Sequence, residues 1–162
     1  MLQAERTITS DNSRSRTAID SRKYNWIRLG KELNNSVRLD ILEFLLDTRI
    51  PDEFEWKADL KYLYYKEGKI LGMMIYKIVP MVGKPTPLIV HIVGTEGFKK
   101  TRAGYQFMMD TFRDLKKTYN IVCAHIPNER TYIIEPMIKF GFTEYSEDDY
   151  GKFYFLNLEN IK

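Results

Sequence analysis

A single cysteine, Cys123, stands among the 162 residues. One thiol cannot close an intrachain disulfide, so no cross-linked framework is available, and a reducing compartment suits the chain. Long apolar runs are missing too. No stretch reaches the roughly 20 residues that a membrane-spanning helix needs. The opening residues, Met1-Leu2-Gln3-Ala4-Glu5-Arg6, lack the apolar centre of a secretory signal. A soluble, cytoplasmic protein is therefore the expectation. Charge of one sign is scarce: 25 Lys and Arg against 22 Asp and Glu leave a net +3. That balance is too small to argue for nucleic acid. Histidine is limited to two residues, His91 and His125. With no third ligand at a suitable spacing, no metal is expected.

What is present is enough for a core. Hydrophobic residues make up 44% and aromatics 14%, and the length fits one domain. Residues 1–23 are polar, with Arg14, Arg16, Arg22 and Lys23 giving a basic lean, and read as a partly flexible arm before a domain at 24–162. Within the arm, Arg6 to Thr9 has the pattern of a short edge strand. Tyr24 to Leu29 reads as a helical turn before Gly30. Asn34, Asn35 or Ser36 can cap a helix from Val37 to Thr48, with Leu39, Ile41, Leu42, Leu45 and Leu46 on its apolar face. Asp59 to Lys66 alternates as a strand, Glu67-Gly68 signals a turn, and Lys69 to Val79 returns as a second strand. Pro80 to Pro87 reads as a loop.

The chain is organised around the stretch from Pro87 to Tyr119. Leu88 to Val93 is a short β-branched run that predicts a buried strand. Gly94 to Gly104 is a loop of glycines and cations, and Tyr105 to Tyr119 follows with helical spacing. A helix start exposes unpaired N–H groups at the positive end of its dipole, so this junction suits an anion such as a diphosphate. An ordinary strand-to-helix connection with a solvated basic loop is the alternative. Ile121 to Ile126 predicts a second buried strand, parallel to the first because a helix lies between them. Asn128 can cap a helix from Glu129 to Phe140, in which Pro136 predicts a kink or a shortening. Gly141 ends it, and a last hairpin pairs Phe142 to Tyr145 with Phe153 to Leu158 across the acidic turn Ser146 to Gly151. A mixed, mostly antiparallel sheet with a central parallel pair, flanked by helices, follows: the α/β or α+β class.

Several phrases fit one family. The hairpin Tyr62-Leu63-Tyr64-Tyr65-Lys66-Glu67-Gly68-Lys69-Ile70-Leu71-Gly72-Met73-Met74 carries a "G-K-I-x-G" return. Met137-Ile138-Lys139-Phe140-Gly141-Phe142 has a "lYeklGF" pattern, and Asn128 stands where an asparagine often opens that helix. These phrases and the element order resemble the GNAT superfamily of acyl-CoA-dependent N-acyltransferases over about residues 35–158. The resemblance implies acetyl-CoA as acyl donor and a primary amine, on a small molecule or a protein, as acceptor. It implies a cofactor site along Ile92 and Val93, through Lys99, Lys100, Thr101, Arg102, Ala103, Gly104 and Tyr105, and at Asn128. The family phrase [Q/R]-x-x-G-x-[G/A] matches Thr101-Arg102-Ala103-Gly104-Tyr105-Gln106 at Gly104. Thr101 replaces the leading Arg or Gln, and Gln106 replaces the final small residue.

Catalysis in such a fold needs a base for the ammonium and donors for the carbonyl oxygen as charge develops there. The resemblance places the reacting groups where the two parallel strands splay. His91 and Glu96 are the candidate bases there, and His125 is the other imidazole on that strand pair. Many members carry a proton-donating tyrosine four residues before the glycine of "GF"; that position is Met137, which has no proton to give. Tyr132 on the same predicted helix is the substitute candidate. Each of these residues also has a packing role open to it. Cys123 reads as inert packing, and Glu147-Asp148-Asp149 as either an attractor for a cationic amine or a solvated turn. The missing tyrosine supports a second function, a GNAT-like scaffold without catalysis. The basic arm and small size also resemble GNAT-like proteins of tailed bacteriophages, some of them virion-associated.

Overall fold

The computed structural model describes residues 25–48, 53–81 and 83–162. The edge strand expected at Arg6 to Thr9 lies outside them. The strands are β1 Trp26–Leu29, β2 Leu60–Lys66, β3 Lys69–Met81, β4 Lys84–Gly94, β5 Ile121–Pro127, β6 Thr143–Glu147 and β7 Gly151–Asn157. The helices are α1 Asn35–Asp47, α2 Glu96–Lys99, α3 Arg102–Lys116 and α4 Ile134–Phe140. The seven strands form one sheet in the order β1-β2-β3-β4-β5-β7-β6. β1 and β2, β2 and β3, β5 and β7, and β6 and β7 pair antiparallel, while β4 and β5 run parallel. This is the mixed α+β architecture that the element order implied. The chain divides into two compact units, Met1–Tyr76 with His91–Met108, and Lys77–Val90 with Met109–Lys162.

In the first unit, β2 and β3 form the hairpin read from the sequence, with Lys66 opposite Lys69. Its two connecting residues, Glu67 (φ 53°) and Gly68 (φ 81°), both lie in the left-handed region, as a two-residue turn of the I′ type requires. Asn34 caps α1: its Oδ1 accepts the Val37 N–H at 2.8 Å. The helix buries Val37, Ile41 and Phe44, at a spacing of one and two turns, whereas Leu39, Leu42 and Leu46 are exposed. The broad apolar face expected from the spacing of the leucines is therefore a narrow one. Tyr24 to Leu29 is corrected as well: Trp26–Leu29 is a strand, not a turn of helix, because it pairs antiparallel with β2 from Trp26 opposite Tyr64 to Leu29 opposite Lys61. Ring packing of Tyr64 on Phe98 (4.6 Å between centroids) and on Phe107 (5.5 Å) ties β2 to α2 and the start of α3.

The alternation set Lys61 and Leu63 on one face of β2, opposite Tyr62 and Tyr64, but both faces are buried. Lys61 is fully buried. Its Nζ donates to the carbonyl oxygens of Gly30 (2.8 Å), Ala58 (2.8 Å) and Lys31 (3.3 Å), which uses all three ammonium protons. Burial pushes its pKa down to about 8, opposed by the nearby carboxylates Asp59 and Glu32.

In the second unit, β4 and β5 are paired at Leu88 with Cys123 and Ile89 with Ala124. β7 pairs with β5 from Asn157 opposite Ile121 to Gly151 opposite Pro127, and β6 covers its other edge. Phe112 of α3 packs against Phe140 (5.6 Å) and Phe142 (6.4 Å). Pro80 to Pro87 proves to be mostly strand, not loop: β3 reaches Met81 and β4 starts at Lys84. The expected helix from Glu129 splits into a 3-10 segment, Asn128–Ile133, and α4. Pro136 then falls in the first turn of α4, where its missing N–H costs no helical bond. Gly141 (φ 128°) ends α4, with the Phe142 N–H donating back to the Met137 carbonyl at 3.0 Å.

Candidate functional site

The stretch read as a basic loop is mostly helical. α2 is a single turn behind Thr95, and α3 starts at Arg102 rather than Tyr105. Thr101 makes the corner between them. Its hydroxyl donates to the Phe98 carbonyl (2.8 Å) and accepts the Gly104 N–H (3.1 Å), and its own carbonyl accepts the Tyr105 N–H (3.2 Å). Gly104 sits against that corner: a Cβ there would stand 2.4 Å from the Phe98 oxygen. The glycine is thus required first by backbone packing. The N–H groups of Arg102 and Ala103 lead the helix and meet no protein acceptor among the described residues. Lys99, Lys100 and Arg102 are exposed beside them, as are Tyr105 and Gln106. Two open N–H groups, the helix dipole and three cations fit a diphosphate. The cradle is narrower than the loop predicted, because the Thr101 hydroxyl has taken the Gly104 N–H.

His91 lies in the same unit, on β4. It is buried, with its ring stacked on Phe54 (5.5 Å between centroids, 13° between planes). Its Nε2 accepts the Glu55 N–H at 3.2 Å. A backbone amide can only donate, so that lone pair is engaged and Nε2 cannot take a substrate proton. Ile92 is exposed and Val93 half-buried on the residues that follow. Glu96 is exposed at the first position of α2, where its charge complements the helix start.

The remaining predicted residues belong to the second unit. Tyr132 is 73% exposed on the 3-10 segment, and Met137 is half-buried on α4. Asn128 does not cap a helix, as was expected. Its N–H donates to the Tyr150 carbonyl (2.9 Å) and its Nδ2 to the Asp149 carbonyl (3.1 Å), so it ties the end of β5 to the β6–β7 turn. Asp148 shapes that turn from within. Its Oδ1 accepts the N–H groups of Tyr150 and Gly151 (2.9 Å each) and faces His125 Nε2 at 3.2 Å. The Tyr150 N–H, with lesser help from His125 and Gly151, holds the Asp148 carboxyl below its usual range. Cys123 is fully buried and burial raises its thiol pKa, as inert packing demands. Among the described residues, no group of three or more His, Cys, Asp or Glu is placed to hold a metal ion. No helix among them is long and apolar enough to cross a membrane.

The His125–Asp148 pair escaped the sequence reading because 23 positions separate its members. The antiparallel register that sets His125 opposite Phe153 is what brings the turn over the ring. The available signal was the short β6–β7 turn, with aspartates close before Gly151.

No family model and no curated protein matches this sequence. Solved structures do match it. A GNAT-family acetyltransferase from Staphylococcus aureus Mu50 is 12% identical with a TM-score of 0.60, over 82% of this chain and 99% of that one. The ribosomal-protein-S18-alanine N-acetyltransferase of Escherichia coli is 12% identical with a TM-score of 0.58, over 85% and 99%. The PaiA N-acetyltransferase of Thermoplasma acidophilum, in complex with coenzyme A, is 10% identical with a TM-score of 0.50, over 60% of this chain. This chain spans 59% of that enzyme, less than two thirds of its length. The fold of this chain is the GNAT fold.

Proposed function

We propose that this chain is a cytoplasmic N-acetyltransferase that takes its acyl group from acetyl-CoA and delivers it to a primary amine. The observation that carries the reading is the start of α3, inside a GNAT fold: two unpaired N–H groups flanked by Lys99, Lys100 and Arg102. These groups would hold the diphosphate of the donor. Arg102 and Ala103 contribute backbone N–H groups, and the three side chains contribute charge-assisted contacts. Thr101 keeps the corner rigid and so holds the N–H groups in their directions. Acetyl-CoA would supply the acetyl group as a thioester, already activated for transfer to an amine. The chain would have to hold that amine and remove its proton, since an ammonium has no lone pair. The acceptor is a small-molecule or protein amine.

Two observations favour a second reading, a GNAT-like scaffold that binds without transferring, of the kind found with phage virions. Met137 has no proton to donate, and the Nε2 lone pair of His91 is already engaged.

Calorimetry with acetyl-CoA, followed by a thiol-release assay over a panel of amines, separates the two. Binding with release supports the transferase. Binding without release leaves the scaffold, and absent heat removes the cofactor site altogether. The triple change of Lys99, Lys100 and Arg102 to Ala is expected to weaken binding by about 100-fold, at roughly 1 kcal/mol for each charge-assisted contact. Gly104 is a poor choice for this test, because any side chain there strikes the Phe98 carbonyl and mixes folding with binding.

A further inference from the structure

We propose that the outward face of α1 pairs with the same face of a second copy of this chain, the two helices lying side by side and parallel. α1 carries two apolar stripes. Val37, Ile41 and Phe44, at positions i, i+4 and i+7, are buried in the chain's own core. Leu39, Leu42 and Leu46, at positions i, i+3 and i+7, are 65%, 48% and 87% exposed. At roughly 100° per residue the two stripes fall on opposite sides of the helix. A helix that is apolar on both sides belongs where both sides are covered. One exposed leucine needs no explanation, but three in line over two turns make a continuous strip.

The spacing names the kind of partner. Three then four is the seam of paired helices, in which each leucine enters a hole between side chains of the facing helix. The polar segment 1–23 of this chain has Met1, Leu2, Ile8 and Ile19 as its large apolar residues, and no two of them are three or four positions apart. That segment offers no matching seam. The strip on α1 matches itself, as a two-fold contact requires.

Charge then fixes the direction. Arg38 flanks the strip on one side, and Glu43 and Asp47 flank it on the other; all three are exposed. With Leu39 and Leu46 at the first position of a heptad, Arg38 and Glu43 take the two flanking positions whose charges pair across parallel helices. A two-fold axis along the helices sets Arg38 of one copy against Glu43 of the other, on both sides of the seam. Antiparallel helices would instead set Arg38 against Arg38 and Glu43 against Glu43. The Arg38 guanidinium lies 5.0 Å from the centroid of the Trp56 ring, a contact that orders the side chain without supplying an anion. Glu43 has no ion-pair partner among the described residues.

α1 has 13 residues, so the seam is roughly 20 Å long. A contact of that length stays below the roughly 1,200 Å² of a standard interface. The dimer is therefore weak and reversible, with a dissociation constant on the order of 10–100 μM. It does not depend on the transferase reading above, since α1 supplies none of the groups assigned to the acyl donor.

Sedimentation equilibrium of the full chain, from about 5 to 500 μM, tests the pairing. The weight-average mass is expected to climb from that of one chain toward that of two. Leu42→Glu puts a charge on each side of the seam and should weaken association at least about tenfold. Its Tm in dilute solution should match that of the wild-type protein, because Leu42 is outside the chain's own core. Leu46→Gln, at the most exposed of the three positions, carries the same test if Leu42→Glu fails to fold. Glu43→Arg should weaken association about fivefold, and adding Arg38→Glu to it should recover most of that loss. A chain that stays monomeric at about 500 μM overturns the proposal, as does a dimer that survives both leucine variants. So does a Glu43→Arg variant that associates as tightly as the wild-type protein, because the two flanks would then not face each other.

Discussion

Lys61→Met replaces a buried ammonium with an apolar chain of similar length. Three carbonyl oxygens, of Gly30, Ala58 and Lys31, lose their donor. The two short bonds are worth about 2 kcal/mol each, as hydrogen bonds to a charged group. Against this, the variant no longer buries a charge. The pKa displacement from 10.5 to about 8 measures that cost. At 1.36 kcal/mol per pKa unit it comes to about 3 kcal/mol. Lys61→Met should therefore be about 1 kcal/mol less stable near neutral pH.

The pH dependence has a definite sign. The folded pKa lies below the unfolded one, so between pH 8 and 10.5 the unfolded chain binds the extra proton. Stability of the wild-type protein then rises with pH in that window, relative to the variant, by about 3 kcal/mol in all. Below pH 8 both states are protonated and the difference is flat. Urea melts of both proteins at pH 7, 8.5 and 10 read the difference directly. A difference that stays level or shrinks from pH 8 to 10 would refute the burial argument. Equal stability at pH 7 would refute the three-carbonyl cradle.

Two further outcomes follow from local geometry. Gly104→Ala should cost about 2 kcal/mol, because its Cβ strikes the Phe98 carbonyl at 2.4 Å, whereas Gly97→Ala, with nothing within 4 Å, should be neutral or stabilising by about 0.5 kcal/mol. Equal shifts in Tm for the two would mean that α2 and α3 do not meet as described. Cys123, fully buried with a raised thiol pKa, should react with a thiol reagent at least about a thousandfold more slowly in the native protein than in urea. Rapid native labelling would show that β5 opens far below the global unfolding free energy.

Local chemistry wrote much of the fold into the chain. The Glu67-Gly68 turn, the Asn34 cap, the Gly141 stop and the β-branched runs of β4 and β5 each act over a few residues, so each is legible in order of sequence. The helix that becomes α3 was legible for the same reason, although its first residue lies three positions before Tyr105. The parallel pairing of β4 and β5 followed from the helix between them.

Partnership was decided elsewhere. Apolar spacing on α1 offered Leu39, Leu42 and Leu46 to the core as readily as Val37 and Ile41, but only residues with something packed against them are buried. Lys61 looked like the solvent side of an alternating strand until three carbonyls from distant positions closed on it. His91 and His125 were equivalent as letters. A backbone amide took the Nε2 lone pair of one, while a carboxylate left the Nδ1 lone pair of the other open. Periodicity records which way a side chain points; it carries no information about which group, tens of residues away, will stand in front of it.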